Sequence, residues 1–157
     1  MPLSKIVQSS VDTGVAGSGP AFKAFGSVAS VPAGLGNAVT FTSYSTPIFD
    51  TASAFNTSTG RFTPPVAGYY QVNCMVSYGS NGAGNGSVVV GYLYKNGSNT
   101  SMVNGAINSG GFPNITWTDV IYMNGTTDYL TMGTGHNGSG AISTVACGFS
   151  GFLVRAA

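Results

Sequence analysis

Alternation of apolar and polar residues is the strongest signal in this chain, and it is clearest between Phe55 and Tyr78, FNTSTGRFTPPVAGYYQVNCMVSY. Tyr70, Val72, Cys74, Val76 and Tyr78 fall on one side of an extended strand and Gln71, Asn73 and Ser77 on the other, as a side-chain period of two requires. Gly60 suits a turn that needs positive φ. Pro64-Pro65 cannot join a ladder, so backbone chemistry sets where the strand begins.

The same reading along the chain predicts strands over Phe22–Val31 and Val39–Tyr44 and a short pair within Ile48–Phe55. After the organising strand it predicts Val88–Lys95, with Val88, Val90, Tyr92 and Tyr94 opposite Val89 and Leu93. Asn96-Gly97 is a hairpin signal. Met102–Ile107 follows, then Ile115–Met123, with Ile115, Trp117, Ile121 and Met123 on one face around Asp119. Tyr129–Met132 comes next. Last is Val145–Val154, with Cys147, Phe149 and Leu153 facing one way and Phe152 and Val154 the other. A closing strand that is apolar on both faces is expected at the centre of a sheet covered on both sides. Loops are expected at 79–86, 108–113 and 133–140. No segment keeps a helical period over three turns, and the six Asn-Gly pairs add turn signals. The expectation is all-β: an antiparallel sandwich or jelly roll with roughly ten strands in two sheets and no significant helix.

Composition narrows the partners. At 157 residues the length fits one domain with a substantial core. Only 6% of residues are charged, Glu is absent, and the formal net charge is +1. Long-range attraction to nucleic acid or acidic lipid is negligible, and no apolar run is long enough to insert in a membrane. A surface of Ser, Thr, Asn and Gly repels its own kind weakly, so burial against identical subunits is expected. Residues 1–20 hold isolated apolars without a period and read as an arm, with Ile6 and Val7 the candidates for docking on a partner. They lack an apolar stretch behind Lys5, which predicts synthesis in a cytoplasm without a signal peptide.

Phe55, Phe62 and Gly68-x-Tyr70, taken with Ala21-Phe22-Lys23-Ala24, Tyr94-Lys95-Asn96-Gly97 and Phe149-Ser150-Gly151-Phe152-Leu153, resemble the signature of C1q-like globular heads, a branch of the tumour necrosis factor-like jelly rolls. The resemblance covers residues 21–157 and implies a jelly-roll domain over that span. It implies that the second cover of the last strand is the threefold axis of a homotrimer. It also places the strand of Cys74 beside the strand of Cys147. Two reduced, buried thiols are expected there. Calcium or ligand sites of relatives do not carry over, because no acidic cluster matches them. The opening Ser4-Lys5-Ile6-Val7 resembles those of phage tail-fibre and virion proteins.

Candidate chemistry is sparse. Asp12, Asp50, Asp119, Asp128 and His136 do not form a constellation in sequence. His136 reads as a solvated loop residue, and Asp119 as a contact to Lys95 or Arg155 or as an interface charge. The Gly-rich loop 79–86 lacks the Lys-Ser/Thr and the following helix of a phosphate loop. No catalytic residue, cofactor or metal is expected. Tyr69, Tyr70, Tyr78, Trp117, Phe149 and Phe152 are the candidates for core and trimer interface, since aromatics supply the most area per side chain. Asn81, Asn85, Asn108, His136 and Asn137 are the candidates for presenting polar groups to a ligand. The expected role is a non-enzymatic, homotrimeric phage virion protein, decorating or cementing the capsid through the major capsid protein or another virion protein. The alternative is a fibre head that binds a receptor or cell-surface glycan.

Overall fold

The computed structural model describes residues 19–79, 87–106 and 112–157. These form eleven strands and one 3-10 turn, Leu35–Asn37, with no α-helix among the described residues. The strands are β1 (Ala21–Val31), β2 (Val39–Thr40), β3 (Phe49–Asp50), β4 (Phe55–Asn56), β5 (Arg61–Phe62), β6 (Ala67–Tyr78), β7 (Val88–Lys95), β8 (Ser98–Ala106), β9 (Asn114–Asn124), β10 (Leu130–His136) and β11 (Ile142–Ala156). One sheet has the order β3-β1-β11-β6-β9; the other runs β4-β5-β10-β7-β8, with β2 also paired to β10. All pairings are antiparallel, and most neighbours in space are distant in sequence. The architecture is a jelly-roll sandwich.

The period of two places the core. In β6 every second residue from Tyr70 to Tyr78 is buried. β11 lies between β1 and β6, as a doubly apolar strand requires, and Cys147 and Phe149 on its inner side are 1% exposed. Five of the residues carrying the sequence resemblance, Phe22, Phe55, Phe62, Tyr70 and Phe149, meet at one place. Phe22 stacks on Phe62 and Phe55 with ring centroids 4.2 and 4.9 Å apart, and Phe149 meets its edge at 4.9 Å. Tyr70 closes on Phe62 at 5.6 Å. Each such ring taken fully from water contributes on the order of 1.5–3 kcal/mol.

Turn chemistry fixes the register of the second sheet. Asn96 and Gly97 both have positive φ, 53° and 81°, which makes the two-residue turn between β7 and β8 match the twist of its strands. The Asn96 side chain then ties this hairpin to the start of β10, donating to Asp128 Oδ1 at 2.7 Å and accepting from Tyr129 N at 2.9 Å. Lys95 Nζ lies 2.8 Å from Asp128 Oδ2 and also donates to the Tyr122 carbonyl. These bonds hold the Asp128 carboxyl below its usual range, Lys95 being the largest cause.

Three expectations change. The strand expected over Val39–Tyr44 is confined to Val39–Thr40, with Tyr44 making only an isolated bridge to Gly26. Tyr129–Met132 extends to His136, because Gly133 and Gly135 are strand residues: a Cβ on Gly133 would overlap Tyr94 and the Val39 carbonyl, so the glycine lets the Tyr94 ring and β2 approach. Asn104-Gly105 lies inside β8, where a Cβ on Gly105 would strike Ile115, so this Asn-Gly pair marks close packing of β8 on β9.

Candidate functional site

Among the described residues, the outer face of the β3-β1-β11-β6-β9 sheet carries the largest gathering of uncovered apolar side chains. Pairing register sets it out in rows. Tyr122 of β9 stands opposite Tyr69 of β6, and Tyr69 opposite Arg155 of β11. The next row is Val120, Gln71, Phe152 and Ala21, followed by Thr118, Asn73, Ser150 and Lys23, then by Thr116, Met75, Gly148 and Phe25. Phe25, Tyr69, Val120, Tyr122, Phe152 and Val154 are each between 41% and 54% exposed. Tyr69 and Tyr122 pack edge to face at 5.5 Å, while Phe25 and Met75 lean over Gly148.

Between the two apolar ends lies the polar row, where Thr118 Oγ1 donates to Asn73 Oδ1 at 3.0 Å. A depression of about 430 Å³ opens over it, bordered by Lys23, Asn73, Met75 and Ser150. No carboxylate stands in these rows; Lys23 and Arg155 supply the only formal charge there. The face is thus apolar at both ends with a hydrogen-bonding centre.

The expected interface and core residues divide between the two sides of this sheet. Tyr69 and Phe152 stand on the outer face, whereas Tyr70, Tyr78 and Phe149 are buried between the sheets. Burial raises the hydroxyl pKa of Tyr70 and Tyr78 to about 12. Tyr78 hydrogen-bonds Thr134, whose hydroxyl donates to the Val90 carbonyl at 2.9 Å. Trp117 points inward onto Gly91, and its indole N–H has no partner. Phe25, Val120 and Tyr122 join the outer face although the sequence reading had not singled them out. For Val120 and Tyr122 the signal was present, because they alternate with the core-facing Ile121 and Met123.

His136 requires a correction. It is fully buried at the end of β10, with Nε2 3.1 Å from the Val31 carbonyl and Nδ1 accepting from Gly138 N at 3.1 Å. Both ring nitrogens are occupied by backbone, so His136 presents nothing to a ligand. Asn137 is exposed, but its side chain accepts from Val88 N at 2.7 Å and serves as a strand clamp. Ile6, Val7, Asn81, Asn85 and Asn108 lie outside the described residues. Lys95 pairs with Asp128 and not with Asp119, which accepts from Val120 N at 2.7 Å.

Cys74 and Cys147 are free and buried on adjacent strands. Burial is the largest cause raising both thiols, Cys147 to about 11, so the thiolate needed for nucleophilic attack is scarce. Among the described residues no group of three or more His, Cys, Asp or Glu is placed to hold a metal, and no helix is long and apolar enough to cross a membrane.

No protein-family model matches the chain, and no curated protein matches it by sequence. Solved structures do resemble it. The PRD1 vertex protein P5 superposes with a TM-score of 0.69 at 18% identity, covering 89% of this chain and 100% of that one. The globular domain of zebrafish complement 1qA gives 0.65 at 17% identity, covering 88% and 99%. The Eiger tumour necrosis factor from S. frugiperda gives 0.59 at 12%, covering 88% and 96%. With its two antiparallel sheets and this strand order, the chain has the C1q/TNF-like jelly-roll fold, a fold shared with the PRD1 vertex protein P5.

Proposed function

We propose that this chain is the protomer of a non-enzymatic homotrimer in a phage virion, seated on the capsid surface as a decorating or cement protein. The observation that carries the reading is the uncovered apolar face of the β3-β1-β11-β6-β9 sheet, with Phe152 and Tyr69 at one of its two apolar ends. Left in water, this face is an association liability; buried against two further copies, it becomes the cover that the doubly apolar β11 calls for. The threefold arrangement is the one implied by the sequence resemblance. Likeness of fold to a phage vertex protein supports a virion setting.

In this reading residues 1–20 form the arm that reaches the major capsid protein or another virion protein, through Ile6 and Val7. The chain is made in the host cytoplasm and carried on the particle surface. Imaging purified particles with label bound to this protein tests it. Label over the whole head supports decoration, and label confined to the tail overturns it. A fibre head that binds a receptor or carbohydrate is the second reading, favoured by a hydroxyl-lined groove on the opposite sheet.

A further inference from the structure

That groove lies on the outer face of the β4-β5-β10-β7-β8 sheet, turned away from the proposed assembly face. β2 and β5 both pair with the same edge of β10 and leave between them a cleft of about 340 Å³. Thr40, Thr42 and Thr59 are exposed along its wall, Thr131 is buried at its base, and Arg61 and Tyr129 also line it. The Arg61 guanidinium lies 4.1 Å from the centre of the Tyr129 ring. Tyr129 is itself fixed, because Asn96 bonds both its backbone N–H and its carbonyl. The cation is therefore held in place by a ring, and among the described residues no carboxylate pairs with it.

The aspartates among the described residues are engaged elsewhere. Asp50 accepts from Ala54 N and Phe55 N, Asp128 is bound to Lys95 and Asn96, and Asp119 bonds Val120 N. Of the four acidic residues in the chain only Asp12 lies outside the described residues. A positioned guanidinium has a donor fork that matches a planar carboxylate in a bidentate pair. The hydroxyls beside it suit a ligand that is itself rich in hydroxyls. We propose that this groove binds a saccharide bearing a carboxylate, with Arg61 receiving the carboxylate, the threonine hydroxyls bonding the sugar hydroxyls, and Tyr129 positioning the guanidinium. This deepens the receptor-binding reading, and it stands whether the protein decorates a capsid or tips a fibre.

Saturation-transfer NMR on the full-length protein tests it with glucuronic acid and N-acetylneuraminic acid as probes, each compared with its uncharged methyl ester. Transfer to at least one acid is expected. A charge-assisted pair lost without replacement weakens binding about tenfold or more, so that drop is expected for the ester and for Arg61→Gln. Thr42→Val, an exposed change that leaves the guanidinium in place, is expected to weaken the acid as well, and it decides the matter if Arg61→Gln does not fold. No transfer to either acid, equal transfer to acid and ester, or undiminished binding in a folded Arg61→Gln protein would each overturn the proposal. None of these results bears on the oligomeric state, which is measured separately.

Discussion

The two outer faces of the sandwich are built from different chemistry. On the β3-β1-β11-β6-β9 sheet, seven large apolar side chains, Phe49 among them, stand partly exposed among hydroxyl and amide groups. On the other sheet the tyrosines lie flat, Tyr92 and Tyr94 stacking at 5.8 Å with the Tyr94 ring over Gly133, and the exposed positions are mostly Thr, Ser and Asn; Met102 is the large apolar exception there among the described residues. Both sheets spend their inner faces on one core, so the contrast is not about folding. One exterior is rich in half-exposed apolar side chains, which suits the proposed assembly, and the other is mostly hydroxyl and amide, which suits the proposed polar ligand.

The largest effect comes from the inner side of β11. Phe149→Ala empties a site packed edge-on against the Phe22 and Phe55 rings and is expected to cost about 3–5 kcal/mol in chemical denaturation. Three residues on, Phe152 faces outward, and Phe152→Asp is expected to leave the fold intact in circular dichroism while lowering the assembly state by light scattering. Equal loss of folding in both variants would break the distinction between the two sides of the strand.

A smaller effect follows from Asp128. Its carboxyl is held below the ordinary value of 3.8, so its ion pair with Lys95 stabilises the fold above that pH and is lost as pH falls through the lower folded-state value. Melting temperature should therefore decline through this acid range more steeply in the native chain than in Asp128→Asn. Smallest of all is Met102→Lys on the hydroxyl-rich exterior, expected to change stability by less than about 0.5 kcal/mol and to leave the assembly state unchanged.

Half-buried strands write themselves into a sequence, and β6, β7, β9 and β11 were legible for that reason: each alternates for eight residues or more. Their sidedness was legible too, which separated Phe149 from Phe152 before any coordinates. β10 was only half legible because Gly133 and Gly135 carry no side chains and mimic a loop; what makes them strand residues is the space taken by Tyr94 and by β2. The burial of His136 depends on the Val31 carbonyl, 105 residues away, and no local pattern reports such a partner. The saccharide groove was illegible for the same reason. Thr40, Arg61 and Tyr129 share no motif, and they meet only because β2 and β5 dock on one edge of β10.

Sedimentation equilibrium of the purified full-length chain at micromolar concentration tests the central claim most directly. A mass of three chains, falling toward one in Phe152→Asp, is the predicted result. A native chain that remains monomeric, with amide exchange and solvent accessibility showing the outer face of β11 open to water, would contradict it.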